Sequence, residues 1–159
     1  MKVEKLMSRT VITCRPQDSL EYAANLLWQN DCGSLPVANI NGAARVCGMI
    51  TDRDICMSAL FKGKALSELR VEDAMSKDLQ TCQPNDALAD VERKMQNARI
   101  RRLPVVDEAG ALVGIISMAD LAVESARLQH TGHQDLPVGG VTTTLAAICK
   151  PIGDGLAAA

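Results

Sequence analysis

The strongest constraint on this chain is a sequence pattern that occurs twice, in the same order, within 159 residues. The first three matches lie 68 residues apart, and the fourth lies 66 apart, after a turn that is two residues shorter in the second copy. The matched segments are Val3–Arg9 with Val71–Lys77, Thr13–Pro16 with Thr81–Pro84, Leu35–Val37 with Leu103–Val105, and Gly48–Ile55 with Gly114–Leu121. Several segments repeated in one order indicate repeated structure, so we predict two copies of one folding unit.

Each copy predicts the same succession of strand, helix, strand, strand and helix. A short β-rich piece ends at Pro16 in the first copy, because proline cannot donate a hydrogen bond to a strand partner. Asp18 is a good N-cap for the helix that follows, and Asp86 holds the same place in the second copy. Two short apolar strands then lead into a second helix at Asp52 or Met118. We therefore predict an α/β (α+β) fold of two βαββα repeats, packed with pseudo-two-fold symmetry because neither buries enough surface alone.

The repeats also predict the domain organisation: one domain at residues 3–62, a second at 69–126, and a partly flexible C-terminal extension at 127–159. Within the extension, Gly139-Gly140 resembles a flexible joint. The apolar stretch Leu145–Cys149 follows, and an apolar segment of this kind should dock on its own module or on a partner subunit. Of these two places we favour the dimer interface.

Composition excludes several classes of function. The net charge of −2 provides no basic field for nucleic acid or for an anionic membrane. No apolar run is long enough to span a bilayer and no signal peptide is visible, so we predict a cytoplasmic protein. Six cysteines without a CxxC pair are expected to be reduced core residues. We predict no enzymatic activity, because no set of nucleophile, base and orienting residue is visible.

Each copy places a hydroxyl residue three positions before an aspartate, at the predicted start of its second helix. The two pairs are Thr51 with Asp54 and Ser117 with Asp120. A hydroxyl at a helix N-terminus can donate to a phosphate, and a carboxylate can accept from both hydroxyls of a ribose. The same spacing is also that of a capping box, which stabilises a helix and binds nothing. Both roles can coexist in one pair.

The motifs of both copies resemble those of the CBS domain, named after cystathionine β-synthase. They are Met-Ser ahead of Thr-x-x-Pro, a Leu-Pro-Val strand, and glycine followed by two apolar residues and [Thr/Ser]-x-x-Asp. The chain resembles stand-alone bacterial tandem CBS proteins, and Thr51–Ile55 and Ala147–Pro151 look similar to the small hypoxic-response-type members. The resemblance implies a regulatory module whose clefts bind AMP, ATP or S-adenosylmethionine and transmit occupancy to a protein partner or to a disc-like homodimer.

The resemblance further implies which residues meet in each cleft, because the family's clefts draw on both repeats. The first cleft would contain Thr13, Gly33, Ser34, Ser117 and Asp120. The second would contain Thr81, Arg101, Arg102, Thr51 and Asp54. Arginine forks suit phosphate oxygens, so we expect the second cleft to hold a polyphosphate better than the first. Arg53 can reach a phosphate or pair with neighbouring acids, and Gly33 fits either a close approach to a base or an ordinary turn.

Two other functions remain open on the residues alone. One is a ligand-free interaction or scaffold protein, which the poorer first cleft favours. The other is a thiol or metal redox sensor that uses some of the six cysteines or the pair His130 and His133.

Overall fold

The computed structural model describes residues 1–39, 42–131 and 138–149, which form five α-helices, four strands and three short 3-10 helices. In chain order the helices and strands are α1 (Leu20–Gln29), β1 (Ser34–Asn39), β2 (Arg45–Thr51), α2 (Asp52–Lys62), α3 (Leu88–Ala98), β3 (Arg102–Val106), β4 (Leu112–Ser117), α4 (Met118–Thr131) and α5 (Val138–Cys149). The 3-10 helices are Val3–Lys5, Leu66–Glu68 and Val71–Asp73. β1 pairs antiparallel with β2, and β3 pairs with β4. The α+β fold predicted from the repeats is confirmed.

The first predicted strand of each repeat is reduced to a single bridge. Cys14 pairs in parallel with Val37 of β1, and Cys82 pairs in parallel with Val105 of β3. In both places the carbonyl of the proline in the Leu-Pro-Val motif accepts from the cysteine N–H, at 3.3 and 3.1 Å. The proline itself has no N–H with which to continue the ladder. The ladder cannot extend past a proline, so the longer strand predicted from the sequence does not form.

The predicted N-caps are wrong by one residue. Asp18 reaches back and accepts from the N–H of Arg15 at 2.7 Å, and Asp86 makes the same contact in the second copy at 3.1 Å. The N-cap of α1 is Ser19, whose hydroxyl accepts from the backbone N–H three residues on at 3.1 Å. The residue before α3 is Ala87, which has no capping side chain. An aspartate beside a proline closes a turn as readily as it caps a helix, and here the turn prevails.

The chain divides into two compact units, and each unit takes in the leading segment of the other repeat. The first-repeat unit contains residues 10–79 and 106–113, and the second-repeat unit contains 1–9, 80–105 and those from 114 onward. Residues 1–9, which contain the first segment of the first repeat, therefore belong to the second-repeat unit. Residues 71–79, which contain the first segment of the second repeat, belong to the first-repeat unit.

Both leading segments are held by the same backbone contacts. Val3 and Val71 are completely buried. The N–H of Val3 donates to the carbonyl of Asp86 at 3.0 Å, and the N–H of Val71 donates to the carbonyl of Asp18 at 2.9 Å. Each buried valine thus anchors its segment beside the turn that precedes the helix of the unit it joins.

The Met-Ser part of each leading segment pairs with a strand. Ser76 exchanges two backbone hydrogen bonds with Met49 of β2, at 3.0 and 2.8 Å. Ser8 exchanges two with Ile115 of β4, both at 2.9 Å. Met-Ser and the strand motif that begins with glycine are therefore two sides of one contact, although they lie far apart in the sequence.

The inner face of α5 packs on α3 and α4 within the second-repeat unit. Thr144 is completely buried; its hydroxyl accepts from the side-chain amide of Gln96 at 2.6 Å and donates to the carbonyl of Gly140 at 2.8 Å. Gly139-Gly140 lies inside this helix, so the prediction of a flexible joint there is wrong. The inner face of α5 thus docks on its own unit, which is one of the two places expected for this segment, and docking at a dimer interface stays a prediction. The rest of the extension lies outside the described residues.

Among the residues that the structure describes, no helix is both long enough and apolar enough to cross a membrane.

Candidate functional site

Each unit contains one corner at which a strand runs directly into a helix. β2 ends at Thr51 and α2 begins at the next residue, whereas β4 ends at Ser117 and α4 begins at the next. The backbone of Thr51 is extended, with φ −118° and ψ 162°, as expected for a residue that is both the strand end and the N-cap. The Thr51 corner comprises Gly33, Ser34, Thr51 and Asp54. The Ser117 corner comprises Arg101, Arg102, Ser117 and Asp120.

Reciprocal hydrogen bonds close both corners. Asp54 Oδ2 accepts from the N–H of Thr51 at 2.9 Å and from its hydroxyl at 2.7 Å, while the N–H of Asp54 donates to Thr51 Oγ1 at 3.1 Å. Asp120 and Ser117 repeat this arrangement at 2.8, 2.6 and 3.2 Å. Both pairs are therefore capping boxes, and the structural interpretation of the spacing is confirmed.

Each cap uses only one oxygen of its carboxylate. All the hydrogen bonds run to Oδ2, so the Oδ1 atoms of Asp54 and Asp120 have no hydrogen bond among the described residues. Both side chains are half-buried, which leaves them partly accessible. A carboxylate oxygen can accept two hydrogen bonds, so a hydroxylated ligand can use Oδ1 without breaking the cap. The geometry thus allows the cap and the contact with ribose hydroxyls together. Each corner hydroxyl, however, donates its single proton to the aspartate, so it does not donate to a phosphate in this arrangement.

The two corners differ in the backbone donors at the start of the helix. At the Thr51 corner, the N–H of Asp52 donates to the carbonyl of Gly33 at 3.3 Å, and the N–H of Arg53 donates to Asp52 Oδ1 at 2.7 Å. At the Ser117 corner, the N–H of Met118 donates to the carbonyl of Arg101 at 2.9 Å. The side chain of Met118 has no oxygen that could accept from the next N–H, that of Ala119. The Ser117 corner therefore has a backbone donor that the Thr51 corner has already used.

The side chains predicted from the sequence fall into the two units as follows. Ser34 is buried at the start of β1 and pairs with Thr51 across the sheet. Arg102 is half-buried at the start of β3, and the exposed Arg101 donates from Nη2 to Cys149 Sγ of α5 at 3.8 Å. Arg53 is exposed and forms no ion pair with any described residue, so of the two roles considered for it, the pairing with neighbouring acids is not present.

The two threonines predicted for the clefts lie next to the bridging cysteines. Thr13 and Thr81 are half-buried, and the carbonyl of Thr81 accepts from Lys94 Nζ at 3.0 Å. The same ammonium contacts Asp86 at 3.3 Å. Sequence reasoning missed Lys94, although it departs from the repeat, since the first copy has Leu26 at that position. A charged residue opposite an apolar one in the other copy is the signal that could have identified it.

The buried cysteines behave as core residues. Burial is the main cause that raises the pKa of Cys14 to about 12 and that of Cys82 to about 11. A thiolate is the nucleophile and the metal ligand, so thiols that stay protonated near neutral pH suit neither role. Within the described ranges, no three His, Cys, Asp or Glu residues are grouped closely enough to hold a metal ion.

The capping role of the corners predicts a modest loss of stability. Asp54→Ala is expected to lower the free energy of unfolding by about 1 kcal/mol, because the N-cap residue loses the acceptor of two hydrogen bonds. Urea denaturation monitored by circular dichroism measures the change. The neighbouring Arg53→Ala is the matched control and is expected to change stability by less than about 0.5 kcal/mol. Equal losses in the two variants would contradict a specific cap.

A family model described as the CBS domain matches this chain twice, at residues 3–60 and 71–127. The chain belongs to the CBS domain family. A curated CBS relative, the CBS domain-containing protein YhcV of Bacillus subtilis, is 36% identical over 141 residues, which cover 84% of this chain and 97% of YhcV. The family resemblance of the repeated motifs is therefore confirmed.

Solved CBS structures share the fold. The CBS domain pair of protein MJ0100, in complex with 5′-methylthioadenosine and S-adenosyl-L-methionine, is 26% identical, with a TM-score of 0.68 over 84% of this chain and 98% of that one. Hypoxic Response Protein I, solved with two coordinated zinc ions, is 27% identical, with a TM-score of 0.68 over 78% of this chain and 98% of that one.

Proposed function

We propose that this CBS pair is a regulatory module that binds an adenosine-type ligand, such as AMP, ATP or S-adenosylmethionine. The observation that carries the proposal is the duplicated corner, in which an aspartate keeps one carboxylate oxygen unused while it caps a helix. An oxygen held in this way can accept from the hydroxyls of a ribose. The ligands named for the MJ0100 pair belong to the same chemical class.

The family resemblance groups Arg101 and Arg102 with Thr51 and Asp54, and that grouping stays a prediction. Within the second-repeat unit the carbonyl of Arg101 accepts from the N–H of Met118, next to Ser117, so we propose that a phosphate-bearing ligand prefers the Ser117 corner. This corner has two arginines and the N–H of Ala119, which has no hydrogen-bond partner among the described residues, whereas the Thr51 corner has the additional carboxylate of Asp52. Backbone donors at a helix N-terminus and arginine forks both favour phosphate oxygens. The Thr51 corner is better suited to an adenosine compound without phosphate. The remaining proposed ligand contacts are Thr13, Gly33, Ser34, Arg53 and Thr81.

Occupancy of a corner is proposed to act through the helix that begins there. A ligand on Asp54 or Asp120 would restrain the first turn of α2 or α4, so it would favour those arrangements of the helices that place the carboxylate correctly. A regulated protein partner or a second copy of the chain would sense the difference. We propose regulation and not catalysis, because both corner hydroxyls are committed to helix caps.

Calorimetry with AMP, ATP and S-adenosylmethionine tests the proposal. We expect at least one of them to bind, and we expect Asp54→Ala combined with Asp120→Ala to weaken it at least about tenfold, as for the loss of hydrogen bonds to charged groups. Ser19→Ala is the matched control, because it removes the cap of α1 at a similar cost in stability but should leave the affinity unchanged. Absence of heat with all three ligands would reject the proposal.

Cellular location and assembly are part of the same proposal. All six cysteines are free thiols, which favours a reducing compartment such as the bacterial cytoplasm. We also propose that the chain forms a homodimer. A ligand-free scaffold is the second candidate, and the apolar groove between α1 and α2 of the first-repeat unit favours it. Pull-downs that Asp54→Ala and Asp120→Ala leave unaffected would support the scaffold.

A further inference from the structure

An apolar groove of about 670 Å³ lies between α1 and α2 in the first-repeat unit. Its lining residues include Ala24, Leu27, Trp28, Ile55, Cys56 and Ala59. Trp28 in its wall is 87% exposed. Monomeric proteins rarely leave a large apolar patch in water, so this surface is expected to have a partner.

The corresponding surface of the second-repeat unit is covered by α5. Gln96 donates its amide to the buried Thr144 of α5. Gly140 approaches Glu92 so closely that a Cβ there would lie 2.8 Å from Glu92 Oε2. A helix with small residues on one face therefore fits against the helix pair of this repeat.

The repeat identifies the open groove as the counterpart of the surface that α5 covers in the second-repeat unit. At the offset of 68 residues, Glu92 corresponds to Ala24, which lines the groove, and Gln96 corresponds to Trp28 in its wall. The groove therefore lies where a helix like α5 sits in the other unit, but its contact positions are apolar. An uncharged helix is the occupant that such a surface fits.

The outer face of α5 has these properties. Leu145 is 46% exposed, and Ala146 and Cys149 are exposed beside it. Residues 138–149 contain no charged side chain. A helix that carries no charged side chain on any face is usually buried on more than one side, so its outer face is also expected to have a partner.

The charges of the groove favour α5 as its partner over the groove of a second copy. Asp31 and Asp52 both line the groove, so pairing the groove with its own copy would bring these acids together. Like charges brought together at an interface are unfavourable, whereas α5 sets no charge against them.

We propose that the groove of one copy receives the outer face of α5 from a second copy of this chain. A two-fold axis would make the contact twice, which closes the assembly as a dimer. The inference assigns a surface to the homodimer proposed above, and it does not depend on ligand binding.

Sedimentation velocity on the full-length chain tests the surface. The wild-type chain is expected to dimerise, and Trp28→Ser in the groove and Leu145→Glu on α5 should each weaken the dimer at least about tenfold. Val123→Ser, at a residue of α4 that is 71% exposed, is the matched control and should leave the dimer intact. Circular dichroism verifies that each variant remains folded.

Native thiols test the pairing itself. Cys56 lines the groove, Cys149 lies on α5, and both are exposed. When ¹⁵N-labelled and unlabelled chains are mixed and treated with a short bismaleimide, we expect mixed-isotope peptides that join Cys56 to Cys149. A monomeric wild-type chain, a dimer unaffected by Leu145→Glu, or mixed-isotope peptides joining only Cys56 to Cys56 would overturn the inference. Nucleotide calorimetry on Leu145→Glu tests ligand binding separately from dimerisation. A monomer that still binds ligand leaves the proposed function standing.

Discussion

Gly48→Val is expected to lower the free energy of unfolding by about 3 kcal/mol, at the upper end of the usual cost of overpacking. A Cβ at this position would lie 2.7 Å from the backbone carbonyl oxygen of Ser76 and 2.9 Å from Met75 Sδ. The carbonyl cannot withdraw easily, because Ser76 exchanges two backbone hydrogen bonds with Met49. The substitution therefore forces the leading segment off β2.

The second copy provides an internal comparison. A Cβ on Gly114 would lie 2.7 Å from Met7 Sδ and 3.0 Å from the carbonyl oxygen of Ser8. The nearest atom is the end of a flexible side chain, so Gly114→Val should be destabilising but less so than Gly48→Val.

Urea denaturation of both variants measures the two losses. Gly63→Asn is the control, because Gly63 has a positive φ of 61°, which asparagine tolerates, and no atom of the described residues lies within 4 Å of the point that a Cβ would occupy. We expect that control to change stability by less than about 1 kcal/mol. A loss at Gly48→Val no larger than the control would show that the leading segment does not need the glycine.

Glu92→Met is expected to stabilise the chain at about pH 8, by about 1 to 3 kcal/mol, the usual penalty of an unpaired buried polar group. The side chain of Glu92 lies beneath α5, the residue is 7% exposed, and its Oε1 is buried without a hydrogen-bond partner among the described residues. Among the described side chains of α4 and α5, no cation compensates this carboxylate, because α5 carries no charge and Arg127 of α4 pairs with Glu124. Methionine has a similar length and no charge to bury.

The stability gain of Glu92→Met is expected to depend on pH in a definite direction. Burial raises the pKa of Glu92 from its ordinary value of 4.5, since the charged form is disfavoured in the folded chain. The folded state is therefore favoured at pH values below 4.5, and that advantage is lost as the pH rises through the raised pKa. The gain from Glu92→Met should grow over the same interval.

Thermal melts at several pH values test this sign. Glu124→Gln is the contrasting control, because the hydrogen bond from Arg127 lowers the pKa of Glu124. A lowered pKa stabilises the fold above the ordinary value, so this control should lose stability near neutral pH and not in acid. A benefit of Glu92→Met that is the same at every pH would contradict an ionised Glu92 beneath α5.

Sequence patterns predicted the corners well because those patterns are local. A hydroxyl, two residues and an aspartate at a strand end can close a cap with no help from elsewhere in the chain, and both pairs do so. The remaining differences between the predicted and the observed structure arise from competing local interactions. Asp18 closes a turn where the sequence predicts a cap, and the proline in β1 prevents the ladder that the strand pattern predicts.

The sequence by itself determined that two similar units form and that their second helices are capped at Thr51 and Ser117, because these properties depend on neighbouring residues. Only the tertiary structure decided which unit each leading segment joins. Val3 and Val71 begin similar segments and make nearly identical backbone contacts, at 3.0 and 2.9 Å, so these local contacts do not distinguish one position from the other. The choice follows from the path of the whole chain, which no short pattern contains.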